Sequence, residues 1–285
     1  MGPGWRIVVI GALAAACSPS RSEAAGPGTS PAHRVASPAS AAPSSLATAA
    51  ATAVSEANGA SLIEQDDGLL EFSYRHPAAA GAIPELRASL EAERDRAVAE
   101  ARRDAAQDKA EAARNDYPFQ PHSLGIGWEV VTETPRFLSL SQSLSSYTGG
   151  AHGNSGSGGL VWDKAAFRRL EAADVFASRS ALRAAVLAPF CAGLDRERRK
   201  KGVEPPASND EVFPRCIDPV KDSTIILGSS DRNRIDRLGF LIDPYVAGPY
   251  VEGGYEVTLP VTPAVLAAVK PEYRDAFALR QARQR

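Results

Sequence analysis

The sequence has little cysteine, little histidine, no strong net charge and no long hydrophobic run. Three cysteines and four histidines in 285 residues leave few ligands for a metal site, and no cofactor is expected. The 32 Lys and Arg residues nearly balance the 34 Asp and Glu residues, so we expect no nucleic-acid partner. No apolar run reaches the roughly 18 residues of a membrane-spanning helix. With 44% apolar residues, the chain can nevertheless bury a core.

Residues 1–17 have the pattern of an export signal. A positively charged start is followed by the apolar stretch Ile7–Ala16, which is too short to span a bilayer as a helix. The stretch ends in LAAAC, which resembles the lipobox of bacterial lipoproteins and implies cleavage before Cys17 and acylation of that residue. Several lipid chains would make a stable membrane anchor. The alternative is an ordinary secretory signal cut near residue 24, with Cys17 discarded.

The residues after the lipobox give the expected location and organisation. Ser18 rather than Asp follows Cys17, which favours the outer membrane, facing the periplasm. Residues 18–58 are almost entirely Ala, Ser, Pro, Thr and Gly, so they should form a disordered tether because they cannot bury enough apolar surface. The folded part should then comprise two intertwined subdomains, residues 59–177 and 178–285.

The folded part has the pattern of an α+β protein. A long helix is predicted over 83–115, where oppositely charged residues recur at helical spacing beside a thin alanine stripe. Such a helix suits packing against a sheet, or alternatively recruitment of a partner protein. A second helix is predicted over 178–201, and a short one after Pro263. These helices separate runs of strands rather than alternating with single strands.

Strands are predicted from segments rich in apolar residues that lie between turn signals. The first, 69–74, precedes the long helix. Strands 127–132, 137–144 and 159–162 follow that helix and are expected as an antiparallel meander. The last strands are 224–227, 238–242 and 255–259. The sequence therefore predicts antiparallel sheets with one long helix and one or two shorter ones.

The two cysteines downstream of Cys17 indicate a disulfide. Cys191 and Cys216 are an even pair in one folded region of a chain predicted to be exported. Their disulfide would close a loop worth on the order of 3 kcal/mol. The alternatives are two free thiols or a metal pair, but neither cysteine has a nearby His or Cys to complete a metal site.

The most unusual local sequence is the glycine-rich loop from Tyr147 through Gly149, Gly150 and His152. It lacks the lysine and the following helix of a phosphate-binding loop, and no serine nucleophile motif accompanies His152. Glycines in a sharp turn, with His152 bonded across it, are the simplest interpretation. A hydrolase would need His152 in a concave pocket beside a carboxylate such as Asp163 or Asp243.

Two motifs also resemble those of a known family. The run YTGGAHG at 147–153, with Leu170 and the segment DVF at 174–176, is similar to the YxGGAHG…LxDLF pattern of RsiV-like proteins. The run FLIDPYVAGPYVEG at 240–253 is similar to that family's second conserved segment. The first half of the family's fold also occurs ahead of the catalytic domain in PdaC-type peptidoglycan deacetylases.

The resemblance implies an extracytoplasmic α+β binding module rather than a catalyst. One member's ectodomain belongs to an anti-sigma factor and binds lysozyme. This sequence has no sigma-binding segment and no catalytic Asp/His metal motif, so neither the anti-sigma role nor the deacetylase activity is carried over. The favoured hypothesis is a lipoprotein that binds peptidoglycan or a lysozyme-like protein. Two alternatives stay open: an envelope hydrolase using His152, and a structural or assembly lipoprotein.

The ligand surface is expected to combine side chains from both motifs. Tyrosine and histidine side chains beside glycines suit sugar stacking or an anchor at a protein interface. The expected ligand-binding residues are Tyr147, Gly149, Gly150, His152, Tyr245 and Tyr250. The alternative for Tyr245 and Tyr250 is a place in the core under a turn.

Overall fold

The computed structural model describes residues 51–57, 59–209 and 212–280. The predicted signal sequence, Cys17 and most of the predicted tether lie outside these residues. The described residues belong to one compact unit with two sheets, so the α+β class is confirmed.

The larger sheet has seven strands that follow one another in chain order. Every neighbouring pair is antiparallel except β3 and β4, which are parallel. The strands are β1 (Ala51–Ala57), β2 (Ala60–Asp66), β3 (Leu70–His76), β4 (His122–Glu133), β5 (Phe137–Tyr147), β6 (Asn154–Asp163) and β7 (Arg168–Leu170). The predicted meander corresponds to β4, β5 and β6.

Two parts of this sheet differ from the prediction. The tether was predicted to extend to residue 58, but residues 51–57 form β1 and pair with β2, so the tether prediction is wrong there. The sheet is mostly antiparallel, as predicted, but β3 and β4 form a parallel pair that the prediction did not include. Parallel neighbours need a long crossover connection, and here it consists of α1 (Ala78–Gly81) and α2 (Pro84–Arg114).

Helix α2 lies against one face of the larger sheet. Pro84 lies in its first turn. Proline suits this position because the N–H that it lacks would have no hydrogen-bond partner within the helix. It buries Leu86 and Leu90, then Ala105 and Ala112. The small alanines allow the helix to lie close to the sheet, as the prediction of a helix on a sheet requires.

The smaller sheet and α3 build a second core. Strands β8 (Thr224–Gly228), β9 (Arg237–Ile242) and β10 (Tyr255–Pro260) form an antiparallel sheet in the order β10-β9-β8. Helix α3 (Arg179–Lys200) begins after Ser178, whose Oγ accepts from the Ala181 N–H at 3.0 Å, and a short helix α4 (Pro263–Ala268) follows β10. The predicted stripe of α3 is fully buried: Leu182, Val186, Phe190 and Leu194.

The two sheets are joined by hydrogen bonds and by shared core residues. The Leu227 N–H donates to Ser139 Oγ at 3.1 Å, and Thr224 Oγ1 donates to the Ser157 carbonyl at 3.1 Å. Phe137 and Val161 of the larger sheet pack in the core of the second half. The halves are thus interleaved, and the boundary at residue 177 stays a prediction.

The predicted disulfide is present between Cys191 of α3 and Cys216. It ties the middle of α3 to the segment that leads towards β8. The chain between them is also held by an ion pair from Arg215 to Asp195 at 2.9 Å.

Candidate functional site

The structure brings the two predicted motifs together at one surface. His152 lies in the loop between β5 and β6, and Tyr245 and Tyr250 lie in the segment between β9 and β10. The His152 ring stacks on the Tyr250 ring, with centroids 4.0 Å apart. The Tyr245 ring lies 5.4 Å from the Tyr250 ring, and its hydroxyl is 3.5 Å from His152 Nε2. We call His152, Tyr245 and Tyr250 the aromatic cluster.

The glycine-rich loop shapes the support under this cluster. Gly149 and Gly150 have φ values of +94° and +91°. Residues with a side chain rarely adopt such values, so the backbone geometry favours glycine at both positions. The Tyr147 hydroxyl donates to the Gly150 carbonyl at 3.1 Å. The structure therefore gives Tyr147, Gly149 and Gly150 a role in the turn itself.

Hydrogen bonds to the loop backbone fix two rings of the cluster. The Tyr250 hydroxyl donates to the Gly153 carbonyl at 2.8 Å, and His152 Nδ1 lies 2.9 Å from the same oxygen. One carbonyl thus aligns the stacked pair across two distant parts of the chain. These two contacts hold the His152 and Tyr250 rings face to face.

Tyr245 is held in an unfavourable backbone conformation. It follows Pro244 in a tight turn closed by the Val246 N–H on the Asp243 carbonyl at 3.3 Å. Its φ is +69°, a value that this position of a turn normally assigns to glycine or asparagine. The side chain is 54% exposed, so the alternative of a core position does not apply to it. A strained and exposed tyrosine is typical of a functional position.

The carboxylates suggested for a hydrolase have other partners. Asp163 is fully buried and receives the Arg136 guanidinium at 2.7 and 2.9 Å. Burial raises the pKa of Asp163, but the hydrogen bonds from Arg136 and from two backbone amides outweigh burial and hold it below its ordinary value. These hydrogen bonds use Asp163 to stabilise the turns of two hairpins, so it is not available as a catalytic carboxylate.

Asp243 and His152 do not form the pair that a hydrolase would need. Asp243 accepts from Ser157 Oγ at 2.6 Å, and burial raises the pKa of its carboxyl. His152 is exposed, and its contacts are with Gly153 and the two tyrosines. The geometry therefore gives the hydrolase hypothesis no support at these residues.

Sequence reasoning found the members of the cluster but not the strain at Tyr245. The order Asp-Pro-Tyr contains proline at the second position of a turn, which is a usual turn signal. Tyrosine at the third position is not a usual turn signal, because the positive φ required there favours glycine. Only that mismatch could have indicated the conformation.

Within the described residues, no group of three or more His, Cys, Asp or Glu side chains is placed to hold a metal ion. In the same part of the chain, no helix is long and apolar enough to cross a membrane.

Comparison with known proteins identifies a family over part of the chain. Residues 63–155 match the family model described as deacetylase PdaC, which confirms the resemblance drawn from the glycine-rich loop. A DUF3298-family protein from Bacteroides fragilis is 18% identical over 74% of this chain and 88% of its own, with a TM-score of 0.42. One from Pseudomonas aeruginosa is 17% identical over 81% and 95%, also with a TM-score of 0.42. Curated protein sequences gave no match.

Proposed function

We propose that this chain, which carries a PdaC-like domain, is an envelope-anchored protein that binds a cell-wall-related ligand on the aromatic cluster. The ligand is peptidoglycan or a lysozyme-like protein. The observation that carries the proposal is the aromatic cluster itself, in which the exposed His152 stacks on Tyr250 with ring centroids 4.0 Å apart and the exposed Tyr245 ring lies 5.4 Å from that of Tyr250.

The chemistry of the cluster suits a glycan better than an ion. Flat aromatic rings offer apolar faces and polar edges, which can contact the C–H face of a sugar ring and its hydroxyls together. The stacked His152 and Tyr250 rings are already ordered by Gly153, so little side-chain entropy is lost on binding.

The same cluster can serve as the anchor of a protein interface. Binding energy in such interfaces concentrates in a few well-packed aromatic and arginine side chains. A lysozyme-like protein therefore remains the second form of the ligand, and the capture experiment below compares it directly with peptidoglycan.

The binding experiment uses the full chain with Cys17→Ser, which can be purified without detergent. The protein is incubated with purified peptidoglycan sacculi and, separately, with immobilised lysozyme. Capture by one of them is expected, and Tyr245→Gly should weaken it at least about tenfold. Phe167→Gly is the matched control, because Phe167 is also exposed and has a positive φ of +49° but lies outside the cluster. Failure of both ligands to retain the chain would overturn the proposal.

Anchoring is the other half of the proposal. It is supported by the LAAAC run and by the Ala, Ser and Pro-rich residues that follow it. Mass spectrometry of the amino-terminal peptide from cells should show a chain beginning at Cys17 with lipid attached, and Cys17→Ser should lose the lipid. An intact Met1, or a chain beginning near residue 24, would refute lipid anchoring.

A further inference from the structure

The segment that carries Tyr245 and Tyr250 has little backbone support from the rest of the protein. It comprises residues 244–254, between β9 and β10. Its backbone–backbone hydrogen bonds each join residues three positions apart, and strand pairing resumes only at Tyr255, opposite Ile242. Such turns shape the segment locally but do not hold it against neighbouring elements, so side chains must supply that support.

The C-terminal end of α3 directs two cations at this segment. The Arg198 guanidinium donates to the Ala247 carbonyl at 2.6 Å. The Lys201 ammonium group donates to the Glu252 carbonyl at 2.6 Å and to the Gly254 carbonyl at 2.5 Å. Ala247 precedes the second tyrosine of the segment, and the other two carbonyls follow it. The segment is thus held by α3 on both sides of that tyrosine.

The contacts of Lys201 are unusual for an exposed lysine. Its ammonium group also lies 4.1 Å from the centroid of the Tyr255 ring, which is a cation–π contact. Among the described residues no carboxylate forms an ion pair with it, whereas the neighbouring Lys200 pairs with Glu197 at 2.7 Å. An ammonium group has three N–H donors, and here two carbonyls and one ring of a single turn receive it.

Both ends of the Lys201 contact are fixed in position. The Lys201 N–H bonds back to the last carbonyls of α3, so the base of the side chain belongs to the end of the helix. Gly253 lies between the two acceptor residues and has a φ of +65°. Glycine adopts this conformation without steric cost, and it allows both carbonyls to face the same ammonium group.

We propose that Lys201 is a positioning residue for the aromatic cluster. It holds the turn at 252–254 and thereby keeps the Tyr250 ring face to face with His152. Without the ammonium group both carbonyls turn towards water, so fewer of the folded molecules have the rings in place. Ligand affinity falls in proportion to that fraction. The effect on binding rests on the proposed function, but the arrangement of the rings can be measured without a ligand.

The first measurement is made on the rings. In the full chain with Cys17→Ser, the imidazole protons of His152 are followed by NMR, and Tyr250→Ala provides their shifts without the stacked ring. Lys201→Met keeps the apolar stem but removes the donors, and it should move the His152 shifts most of the way towards the Tyr250→Ala values. Lys200→Met is the matched control and should leave them unchanged.

A purely stabilising lysine gives a different result. It would lower the urea midpoint of Lys201→Met and leave the His152 shifts of the folded protein at their wild-type values. Wild-type shifts in Lys201→Met would therefore overturn the proposal, whatever the change in stability.

The second measurement repeats capture on sacculi and on immobilised lysozyme. Lys201→Met should weaken capture by about three- to tenfold, and Lys200→Met should not change it. If neither ligand retains the wild type, the proposed function fails, while the His152 shifts still decide the role of Lys201. If the wild type is captured and Lys201→Met is captured equally well, Lys201 does not position the cluster, and the proposed function stands.

Discussion

Replacing Tyr245 by glycine should separate the stability of this protein from its binding. At a φ of +69°, a residue with a side chain is destabilised by about 1–2 kcal/mol relative to glycine. Tyr245→Gly relieves that strain. It also removes the contact with the Tyr250 ring, at about 0.5–1.5 kcal/mol, and adds about 0.5–1 kcal/mol of backbone entropy cost.

These contributions nearly cancel. Tyr245 is 54% exposed, so the remaining cost is the loss of its partly buried surface, about 1 kcal/mol. We therefore expect the free energy of unfolding to fall by no more than about 2 kcal/mol. Binding to the captured ligand should fall at least about tenfold, because the exposed ring is gone.

The assay combines urea denaturation with capture on sacculi or lysozyme. Phe167→Gly is carried through both measurements, since it relieves comparable strain at a residue that is 72% exposed and should leave capture unchanged. If Tyr245→Gly lowered stability by more than about 2 kcal/mol, the tyrosine would be a packing residue. If capture were unaffected in that variant, the aromatic cluster would not be the binding surface.

Three further predictions concern stability. Asp163→Asn should lower the free energy of unfolding by about 1.5–3 kcal/mol, because it removes the charged acceptor of Arg136. Since the folded-state pKa of Asp163 is lowered, its contribution is present above the ordinary carboxyl pKa and is lost as the pH falls through the lowered value. An unchanged acid-denaturation curve would contradict this. Cys191→Ser with Cys216→Ser should cost about 3 kcal/mol, measured by urea denaturation against the oxidised wild type; equal midpoints would show that the remaining contacts suffice. Asp243→Asn should be at least as stable as the wild type at neutral pH, because the folded-state pKa of Asp243 is raised and its ionisation opposes folding. The difference should shrink as the pH falls through that raised pKa and vanish below the ordinary carboxyl pKa, and a loss of stability at neutral pH would disprove it.

Much of the fold could be predicted because local patterns and packing agree. The α3 stripe of Leu182, Val186, Phe190 and Leu194 has helical spacing and is buried throughout. Strand β5 alternates apolar and polar residues along most of Phe137–Tyr147. The disulfide followed from the presence of just two cysteines in the folded region, and the structure contains it.

Other features depend on distant partners and leave little trace in the local sequence. Residues 51–57 are mainly small and polar, but β2 provides a strand with which their backbone can pair. The parallel pairing of β3 with β4 depends on how α2 returns the chain across the sheet. The burial of Arg198 depends on carbonyls from segments before β8 and after β9, which no spacing rule brings together.

The candidate surface was predictable only in part. The aromatic side chains beside glycines in two separate motifs indicated which residues to consider, and the structure places His152 on Tyr250. The strain at Tyr245 could not be predicted from composition, because it results from how the turn after β9 is held between its neighbours.

The crossover between β3 and β4 constrains how the chain reaches its native state. Leu70 must meet His122 across all of α1 and α2, whereas β4, β5 and β6 are joined by short hairpin connections. Local hairpins close in microseconds, but contacts between residues far apart in sequence lose more entropy before they gain stability. The strand meander should therefore assemble early and act as the template on which β3 docks late. Until then the β3 side of β4 is an unpaired edge, and it is there that the newly synthesised chain is most exposed to aggregation.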